Sequence, residues 1–476
     1  MRIPEFGRAA LLTGVALLGA GTAALAADAP AITAAPGFHA STPPALPKWS
    51  PLPRSATSVP LATVLLDGAA PLKGAPRENA VPLDKLGYAE DELLLSGSAA
   101  GQPYAVRVLI RRPADTNKFS GTIFLEPFAE GEASPVWTAT WPYLTDHQDI
   151  WIGISTEASL HQKADAARYG ALKPPAAAAR GEVLAQIAWL VRSNQGPFYG
   201  PGYIDRAMIL PGVLRVYAAG WSEGGCLLNE FIGSGQHDKA RRPEGRPLID
   251  GYVTGACPQK APAQIPRDAA VLQLVTESEF LTPADAKATA TKRRDDASKL
   301  EQERSRWYEL AGTSRWSWSD QPQFSIASHQ AGQAADPKCA RPISRAASSA
   351  PFLRAVLSDL DWWMRSGRWA PAGKRFELAE DGSLKRAETG TVQGGVRMSW
   401  VDAPLANFGA GAGDGACQLY QTETPLPKER LGKLYADRNA YVEKLKDVLI
   451  PLVNGRYLLT ADADAEIARA SRTGAP

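Results

Sequence analysis

The pattern that most constrains this 476-residue chain is a serine between glycines, Gly220-Trp221-Ser222-Glu223-Gly224. An apolar run at 214–219 precedes it and predicts a buried strand, and residues 225–231 continue as a helix. A serine hydroxyl becomes an exposed nucleophile on a very sharp strand-to-helix turn, where flanking glycines leave room for the backbone and a substrate. The alternative is an ordinary loop whose serine caps the helix. The order of strand, turn and helix favours Ser222 as a nucleophile.

Apolar runs of strand length alternate with a helical segment in the middle of the chain. Strands are predicted at 93–96, 104–111, 122–126, 150–155, 214–219, 248–254, 271–275 and 307–311, and a helix at 181–195. Such alternation argues for an α/β fold with a mostly parallel sheet covered by helices on both faces.

The C-terminal part of the chain has a different pattern. Helices are predicted at 352–365 and 431–453, and the second places Leu434, Tyr441, Leu445 and Val448 on one face. We therefore expect residues 346–476 to form a helical elaboration, preceded by an insertion or lid at about 280–345.

The N-terminus has the composition of a targeting segment. Arg2 and Arg8 form a short basic start, residues 9–25 are apolar, and Ala24-Leu25-Ala26 supplies the small residues of a cleavage site. The apolar stretch is short for a membrane span. Residues 1–26 are thus predicted to be a signal peptide, and the mature protein to be exported, periplasmic or secreted, without a stable membrane span.

The segment that follows is rich in proline. Eight prolines lie between Ala27 and Pro60, which favours an extended leader, wrapped on the surface or partly disordered. We expect an N-terminal extension at 27–80 and the α/β domain at 81–476.

Composition excludes several classes of partner. The net charge of +2 and the absence of a long basic run give no indication of nucleic-acid binding. The histidines are scattered without ligand spacing, and no Cys-x-x-Cys or glycine-rich phosphate loop is present, so no metal or other cofactor is predicted. The sequence leaves the oligomeric state open.

Four cysteines remain after the signal segment. Cys226, Cys257, Cys339 and Cys417 permit two disulfides with three pairings in an exported protein. Cys226 lies one helical turn after Ser222, where a buried thiol is an equally good interpretation.

A serine nucleophile needs a base and an acid. When the serine lies on such a strand-to-helix turn, the acid follows it in the sequence and the histidine base follows the acid. The acid belongs after a buried strand near the end of the sheet. The strand at 271–275 is followed by Thr276-Glu277-Ser278-Glu279, which places the carboxylate at Glu279, with Glu277 as the alternative. Either glutamate could instead be a solvated loop charge.

The base is harder to assign. Of five histidines, only His329 lies downstream of the acid. The usual position is the loop after the last strand, 307–311, where Arg315 stands, and an arginine stays charged and cannot accept the proton. Either a longer loop carries His329 to Ser222, or His161, which follows the strand ending at Ser155, replaces it, or the triad is defective.

The oxyanion hole is expected to use two backbone N–H groups. One is that of Glu223, directly after the nucleophile, and the other comes from the loop after the strand at 122–126. Pro127 has no N–H, which leaves Phe128 or Ala129 as the second donor.

A series of short segments in a fixed order gives the chain a family resemblance. They are Tyr88–Glu92, 96–99, Arg111-Arg112-Pro113-Ala114-Asp115, 119–122, Arg168-Tyr169-Gly170, the serine turn, Asp250-Gly251-Tyr252, Ala311-Gly312-Thr313, and Gly394-Gly395-Val396-Arg397 ahead of 401–404. Over residues 80–470 the chain resembles a bacterial α/β-hydrolase family of often exported, largely uncharacterised proteins. The resemblance implies an α/β-hydrolase fold and an esterase-like serine hydrolase, with Ser222 as nucleophile and Glu279 at the acid position. It also implies a histidine two residues after Ala-Gly-Thr, where this chain has Arg315.

The expected reaction is hydrolysis of a small-molecule carboxylic ester through an acyl-enzyme. Ser222 attacks, His329 shuttles the proton and Glu279 orients the imidazole. A non-catalytic ligand-binding protein is the alternative, in which Arg315 pairs with a carboxylate ligand. Acyl transfer to an alcohol would use the same residues.

Overall fold

The structure is a computed structural model, and it describes residues 48–51, 81–128, 134–164, 166–192, 213–242, 245–293, 304–317, 339–387, 390–410 and 415–472. The strands are β1 (Lys48–Pro51), β2 (Tyr88–Ala99), β3 (Gln102–Pro113), β4 (Thr122–Phe128), β5 (Ile150–Ser155), β6 (Arg215–Trp221), β7 (Gly251–Gly255), β8 (Ala270–Thr276), β9 (Ser305–Leu310), β10 (Ala406–Ala410) and β11 (Gln421–Pro425).

The α-helices of the described residues lie mainly between the strands and at the C-terminal end. They are α1 (Pro135–Asp146), α2 (Ser159–Ala164), α3 (Ala166–Tyr169), α4 (Arg180–Arg192), α5 (Glu223–Gly233), α6 (Gln236–Lys239), α7 (Pro283–Ala290), α8 (Ala350–Ser366), α9 (Ser399–Asp402), α10 (Lys428–Leu434), α11 (Arg438–Asn454) and α12 (Thr460–Arg472). Short 3-10 turns follow β7 at Pro258–Lys260 and β8 at Glu277–Phe280.

Nine strands form one sheet in the order β1-β2-β3-β5-β4-β6-β7-β8-β9. The β1, β2 and β3 pairings are antiparallel, as is β3 with β5, whereas β5, β4, β6, β7, β8 and β9 run parallel to one another. The predicted α/β architecture with a mostly parallel sheet is therefore confirmed. Because the carboxyl ends of parallel strands share one edge, the loops after β4, β6, β7, β8 and β9 meet there.

The parallel strands are apolar on both faces because helices cover both. Along β6, Val216 and Ala218 join one hydrophobic cluster with α4 and α5, whereas Tyr217 and Ala219 join the other with α1 and α8. This is the continuous apolar run of a strand buried on both sides rather than an alternating one.

Two elements differ from the sequence prediction. The helix predicted at 431–453 is two helices, α10 and α11, and Leu434 is 48% exposed rather than part of a buried face. The break follows from Asp437, whose side chain accepts from Ala440 N and starts α11 as an N-cap. The strand predicted at 248–254 begins only at Gly251, and Leu248, although buried, lies before it.

The N-terminal extension contributes one described element. Strand β1 lies within it and pairs antiparallel with β2, with Lys48 opposite Ser96 and Pro51 opposite Leu93. Strand β1 thereby pairs with the edge of β2 that would otherwise be the outer edge of the sheet. Within the described part of the chain, the helices are all too short or too polar to cross a membrane.

The four cysteines form two disulfides, Cys226–Cys257 and Cys339–Cys417. The buried-thiol interpretation of Cys226 is therefore wrong. Cys226 lies in the first turn of α5, after β6, and Cys257 follows β7. Since β6 and β7 are parallel neighbours, both cysteines lie at the carboxyl edge of the sheet.

Candidate active site

Ser222 lies on the sharp turn between β6 and α5. Its backbone has φ 54° and ψ −120°, a conformation that a residue with a side chain adopts only when its surroundings hold it there. Within the described residues, no hydrogen bond from its side chain caps α5, which argues against a merely capping serine. The residue is 5% exposed, and its N–H donates to Gly255 O at 3.0 Å.

The glycines of the turn are required by close backbone contacts. A Cβ on Gly220 would lie 2.5 Å from the carbonyl of Gly224, and one on Gly224 would lie 2.0 Å from Pro127 O. A Cβ on Gly225 would lie 2.4 Å from Gly255 O. These contacts bring the first turn of α5 against the ends of β4 and β7.

The candidate oxyanion donors lie on the two sides of this contact. Glu223 is the first residue of α5, and Phe128 is the last residue of β4. The Cα of Phe128 is 3.8 Å from the position that a Gly224 Cβ would occupy. The geometry thus brings these two predicted residues together, whereas Ala129 lies outside the described residues.

Glu126, which the sequence did not single out, joins the end of β4 to the start of α1 and to β5. Its buried carboxyl accepts from Val136 N at 2.8 Å and Trp137 N at 2.9 Å, at the start of α1, and from Trp151 Nε1 at 2.8 Å. Burial raises the pKa of Glu126 to about 8, against the lowering effect of these three donors and Arg111. A charged residue inside an otherwise apolar strand was the signal in the sequence.

Glu279 lies in the 3-10 turn after β8 and its carboxylate accepts four hydrogen bonds. Oε2 accepts from Thr276 N at 2.8 Å and Thr276 Oγ1 at 2.7 Å. Oε1 accepts from Ser278 Oγ at 2.8 Å and from Arg315 Nη2 at 3.3 Å. A carboxylate offers about four lone-pair sites, so its accepting capacity is filled. Glu279 is therefore not a solvated loop charge.

Glu277, the alternative acid, has a different set of contacts. Its buried side chain accepts from Gly312 N at 2.7 Å and pairs with Arg386 at 2.9 Å. Burial raises the pKa of Glu277, against the lowering effect of Arg386 and the Gly312 amide. Gly312 has φ 68°, and a Cβ there would lie 2.7 Å from Val401. Glu277 therefore holds a tight glycine turn.

Arg315 lies in the loop after β9, where the sequence predicted a histidine, and its backbone is held from two sides. Its N–H donates to Ser278 Oγ at 3.1 Å, beside the acid, and its carbonyl accepts from Trp221 Nε1 at 2.9 Å, beside the nucleophile. Its guanidinium pairs with Glu279. The structure therefore brings Ser222, Glu279 and position 315 to one edge of the sheet.

Three of the five histidines, His147, His161 and His237, lie in the described part of the chain, and His147 follows directly after α1. His39 lies outside the described residues, and so does His329, which falls in 318–338. The ring of His161 lies 5.1 Å from that of Tyr169, whose hydroxyl donates to Glu92 of β2 at 2.9 Å. Strand β2 is separated from β6 by three strands, so His161 packs toward the antiparallel end of the sheet.

His237 contacts Tyr252 and Asp268 near the opposite edge of the sheet. Its ring nitrogens lie 2.7 Å from Tyr252 Oη and 3.0 Å from Asp268 Oδ1. Tyr252 is near the start of β7 and Asp268 precedes β8. These contacts of His237 therefore lie at the amino ends of β7 and β8, whereas the Ser222 turn lies at the carboxyl end of β6. Within the described residues, no three His, Cys, Asp or Glu side chains are grouped to hold a metal ion.

The sheet order and the strained serine turn define a protein of the α/β-hydrolase class. A family profile described as "Alpha/beta hydrolase domain" matches residues 49–468, most of the chain, and the chain belongs to that family. The resemblance to an α/β-hydrolase family that was inferred from the sequence is thereby confirmed. No curated protein matches the chain.

Several solved structures share part of the fold. A ferulic acid esterase from Streptomyces cinnamoneus is 11% identical, with a TM-score of 0.36, over 61% of this chain and 94% of that one. A dienelactone hydrolase from Anabaena variabilis is 15% identical, with a TM-score of 0.29, over 46% of this chain and 85% of that one. A cold-adapted esterase from an Arctic intertidal metagenomic library is 12% identical, with a TM-score of 0.28, over 47% and 84%. At such low TM-scores, these likenesses carry no argument about the reaction or the substrate.

Proposed function

We propose that the protein is an exported serine hydrolase that cleaves small-molecule carboxylic esters through an acyl-enzyme on Ser222. The observation that carries the proposal is the strained backbone of Ser222 at the carboxyl edge of the sheet. About 1–3 kcal/mol of strain at one residue persists only where the surrounding structure over-determines it, and such strain clusters at active sites.

The proposed reaction has two halves. Ser222 Oγ attacks the ester carbonyl while the base takes its proton, and the base then gives that proton to the departing alcohol. Water then attacks the acyl-enzyme while the same base takes its proton. The base gives that proton to Ser222 Oγ as the bond between Oγ and the acyl carbon breaks, and the carboxylic acid product leaves. Backbone N–H groups of Glu223 and Phe128 would stabilise the oxyanion.

We assign the base to His329 and the orienting carboxylate to Glu279. The contacts at both ends of residues 318–338 support this assignment. Before the segment, Trp316 pairs with the 419–421 backbone, since Trp316 N donates to Leu419 O at 3.0 Å and Gln421 N donates to Trp316 O at 2.8 Å. After it, Cys339 is bonded to Cys417. The described residues on the two sides of 318–338, Trp316 and Cys339, thus both contact the 417–421 segment.

Export rests on residues 1–26 and is supported by the two disulfides, which persist in oxidising compartments.

A second function is favoured by one observation, the pairing of Arg315 with Glu279. A chain whose acid is occupied by an arginine could be a non-catalytic ligand-binding protein on a hydrolase scaffold.

The deciding experiment is reaction of the purified mature protein with a fluorophosphonate probe, read by intact mass, beside Ser222→Ala and His329→Ala. Addition of one probe to the wild type and to neither variant supports the proposed triad. Labelling that disappears only in Ser222→Ala assigns the base elsewhere. An unlabelled, folded wild type would contradict the hydrolase proposal and favour the binding protein.

A further inference from the structure

The carboxylate of Glu279 has no accepting position left for a base. Thr276 supplies two donors to Oε2, and Ser278 Oγ and Arg315 Nη2 supply two to Oε1. An imidazole that Glu279 orients must donate its own N–H to the carboxylate. One of the four present donors must therefore leave Glu279 before the imidazole can bind.

Arg315 is the donor that can leave. The contacts of Thr276 and Ser278 are short and come from residues of the same turn. The Arg315 contact is the longest of the four at 3.3 Å, beyond the usual 2.7–2.9 Å of a charge-assisted bond. Among the described residues, its Nε is buried without a hydrogen-bond partner. Glu279 thus satisfies this guanidinium only partly.

The backbone at position 315 is held by two hydrogen bonds that do not involve its side chain. The Arg315 amide donates to Ser278 Oγ and its carbonyl accepts from Trp221 Nε1. These two bonds fix the Cα between the acid turn and the residue before the nucleophile. A side chain at 315 consequently starts between the turn that carries Glu279 and the end of the strand that precedes Ser222.

We propose that Arg315 is a positioning residue that occupies Oε1 of Glu279 in the resting protein and is exchanged there for the imidazole of the base. The inference rests on the proposed function. It assigns Arg315 a role in controlling the acid, rather than in binding a carboxylate substrate, because the nearby Glu279 charge opposes a second carboxylate at the same guanidinium.

The test compares Arg315→Gln, Arg315→Lys and Arg315→His with the wild type in the rate of fluorophosphonate labelling and in ester turnover. Gln removes the charged donor, so the labelling rate and kcat should both rise about two- to tenfold while KM changes little. A factor of about two to ten corresponds to the net free energy of one ordinary hydrogen bond. Lys keeps a charged donor and should label near the wild-type rate.

Arg315→His supplies an imidazole at the fixed backbone position. In the His329→Ala background it should restore labelling, since it can donate to Glu279 and accept from Ser222. Arg354→Gln is the matched control, because it removes another partly buried arginine from a carboxylate, that of Asp462 at 2.6 Å, away from the acid turn. It should lower the melting temperature and leave the labelling rate unchanged.

The outcomes separate the inference from the proposed function. Wild-type labelling with slower labelling of Arg315→Gln and no restoration by Arg315→His overturns the inference and leaves the hydrolase proposal standing. An unlabelled wild type with a labelled Arg315→His protein would contradict the proposed function and overturn the exchange as well, because Arg315 would then stay on Glu279 in the natural chain. If the wild type and all the Arg315 variants are folded and none is labelled, both the inference and the proposed function are contradicted. Faster labelling of Arg354→Gln as well would also overturn the inference, since the effect would not be specific to Glu279.

Discussion

The indole N–H of Trp221 donates to the carbonyl oxygen of Arg315 at 2.9 Å, which joins the residue before the nucleophile to the loop that follows the last strand of the sheet. Trp221 is buried, and its ring also occupies the space that a Cβ on Gly255 would need, at 2.1 Å. One side chain thus connects the ends of β6, β7 and β9. The geometry of Ser222 therefore depends on loops far apart in the sequence.

The first prediction concerns Gly224. Gly224→Ala places a methyl group 2.0 Å from Pro127 O, so the turn or the end of β4 must move. We expect fluorophosphonate labelling to fall below detection and the melting temperature to fall. Gly432→Ala, in α10, is the control because its Cβ meets nothing within 4 Å. It should be neutral or stabilise the protein by up to about 1 kcal/mol. Full labelling of Gly224→Ala would contradict the contact.

The second prediction separates the two glutamates. Glu279→Gln should lower kcat by about 10⁴-fold with a smaller change in KM, as is seen when a triad acid is replaced. Glu277→Gln should mainly lower the free energy of unfolding, because its carboxylate holds Gly312 N and Arg386. Steady-state ester hydrolysis and urea unfolding of both variants are the measurements. The reverse pattern would assign the acid to Glu277.

The third prediction concerns the disulfide beside the nucleophile. Cys226–Cys257 joins the first turn of α5 to the loop after β7, where Ala256 has φ 56° and Cys257 O accepts from Asn229 Nδ2 at 2.9 Å. Replacing both cysteines by serine should lower the free energy of unfolding by about 2–5 kcal/mol. It should also slow the labelling of Ser222, since the strained turn loses a constraint. Labelling is measured well below the melting temperature, and an unchanged rate would limit the bridge to stability.

The fourth prediction concerns pH. Burial raises the pKa of Glu126 from its usual 4.5 to about 8 in the folded protein. The folded state therefore holds this proton more tightly than the unfolded state, and the resulting stability is fully present below about 4.5 and is lost as the pH rises to about 8. Glu126→Gln should reduce the fall in unfolding free energy across this window, by at most about 1.4 kcal/mol per pH unit.

Urea unfolding at several pH values between 4.5 and 8 measures this difference. Glu377→Gln is the control, because that exposed carboxylate only pairs with Lys385 at 3.0 Å. An identical pH dependence for wild type and Glu126→Gln would show that Glu126 is ionised throughout the window.

The sequence by itself determined the local parts of this protein. The strand, the Gly-x-Ser-x-Gly turn and the helix around Ser222 were predictable because the apolar period and the steric needs of a sharp turn act within about a dozen residues. The same holds for the parallel strands and for the turn containing Glu277 and Glu279. Helix limits were less predictable, as the break between α10 and α11 shows.

Only the tertiary structure decided which of these local parts meet. The pairing of Cys226 with Cys257, the contact of Arg315 with Glu279, and the bond from Trp221 to Arg315 all depend on strand order. Loops separated by about 30 to 90 residues become neighbours because parallel strands deliver their carboxyl ends to one edge. A single sequence carries no direct record of that order, since contacts between distant residues arise only once the sheet has closed on its helices.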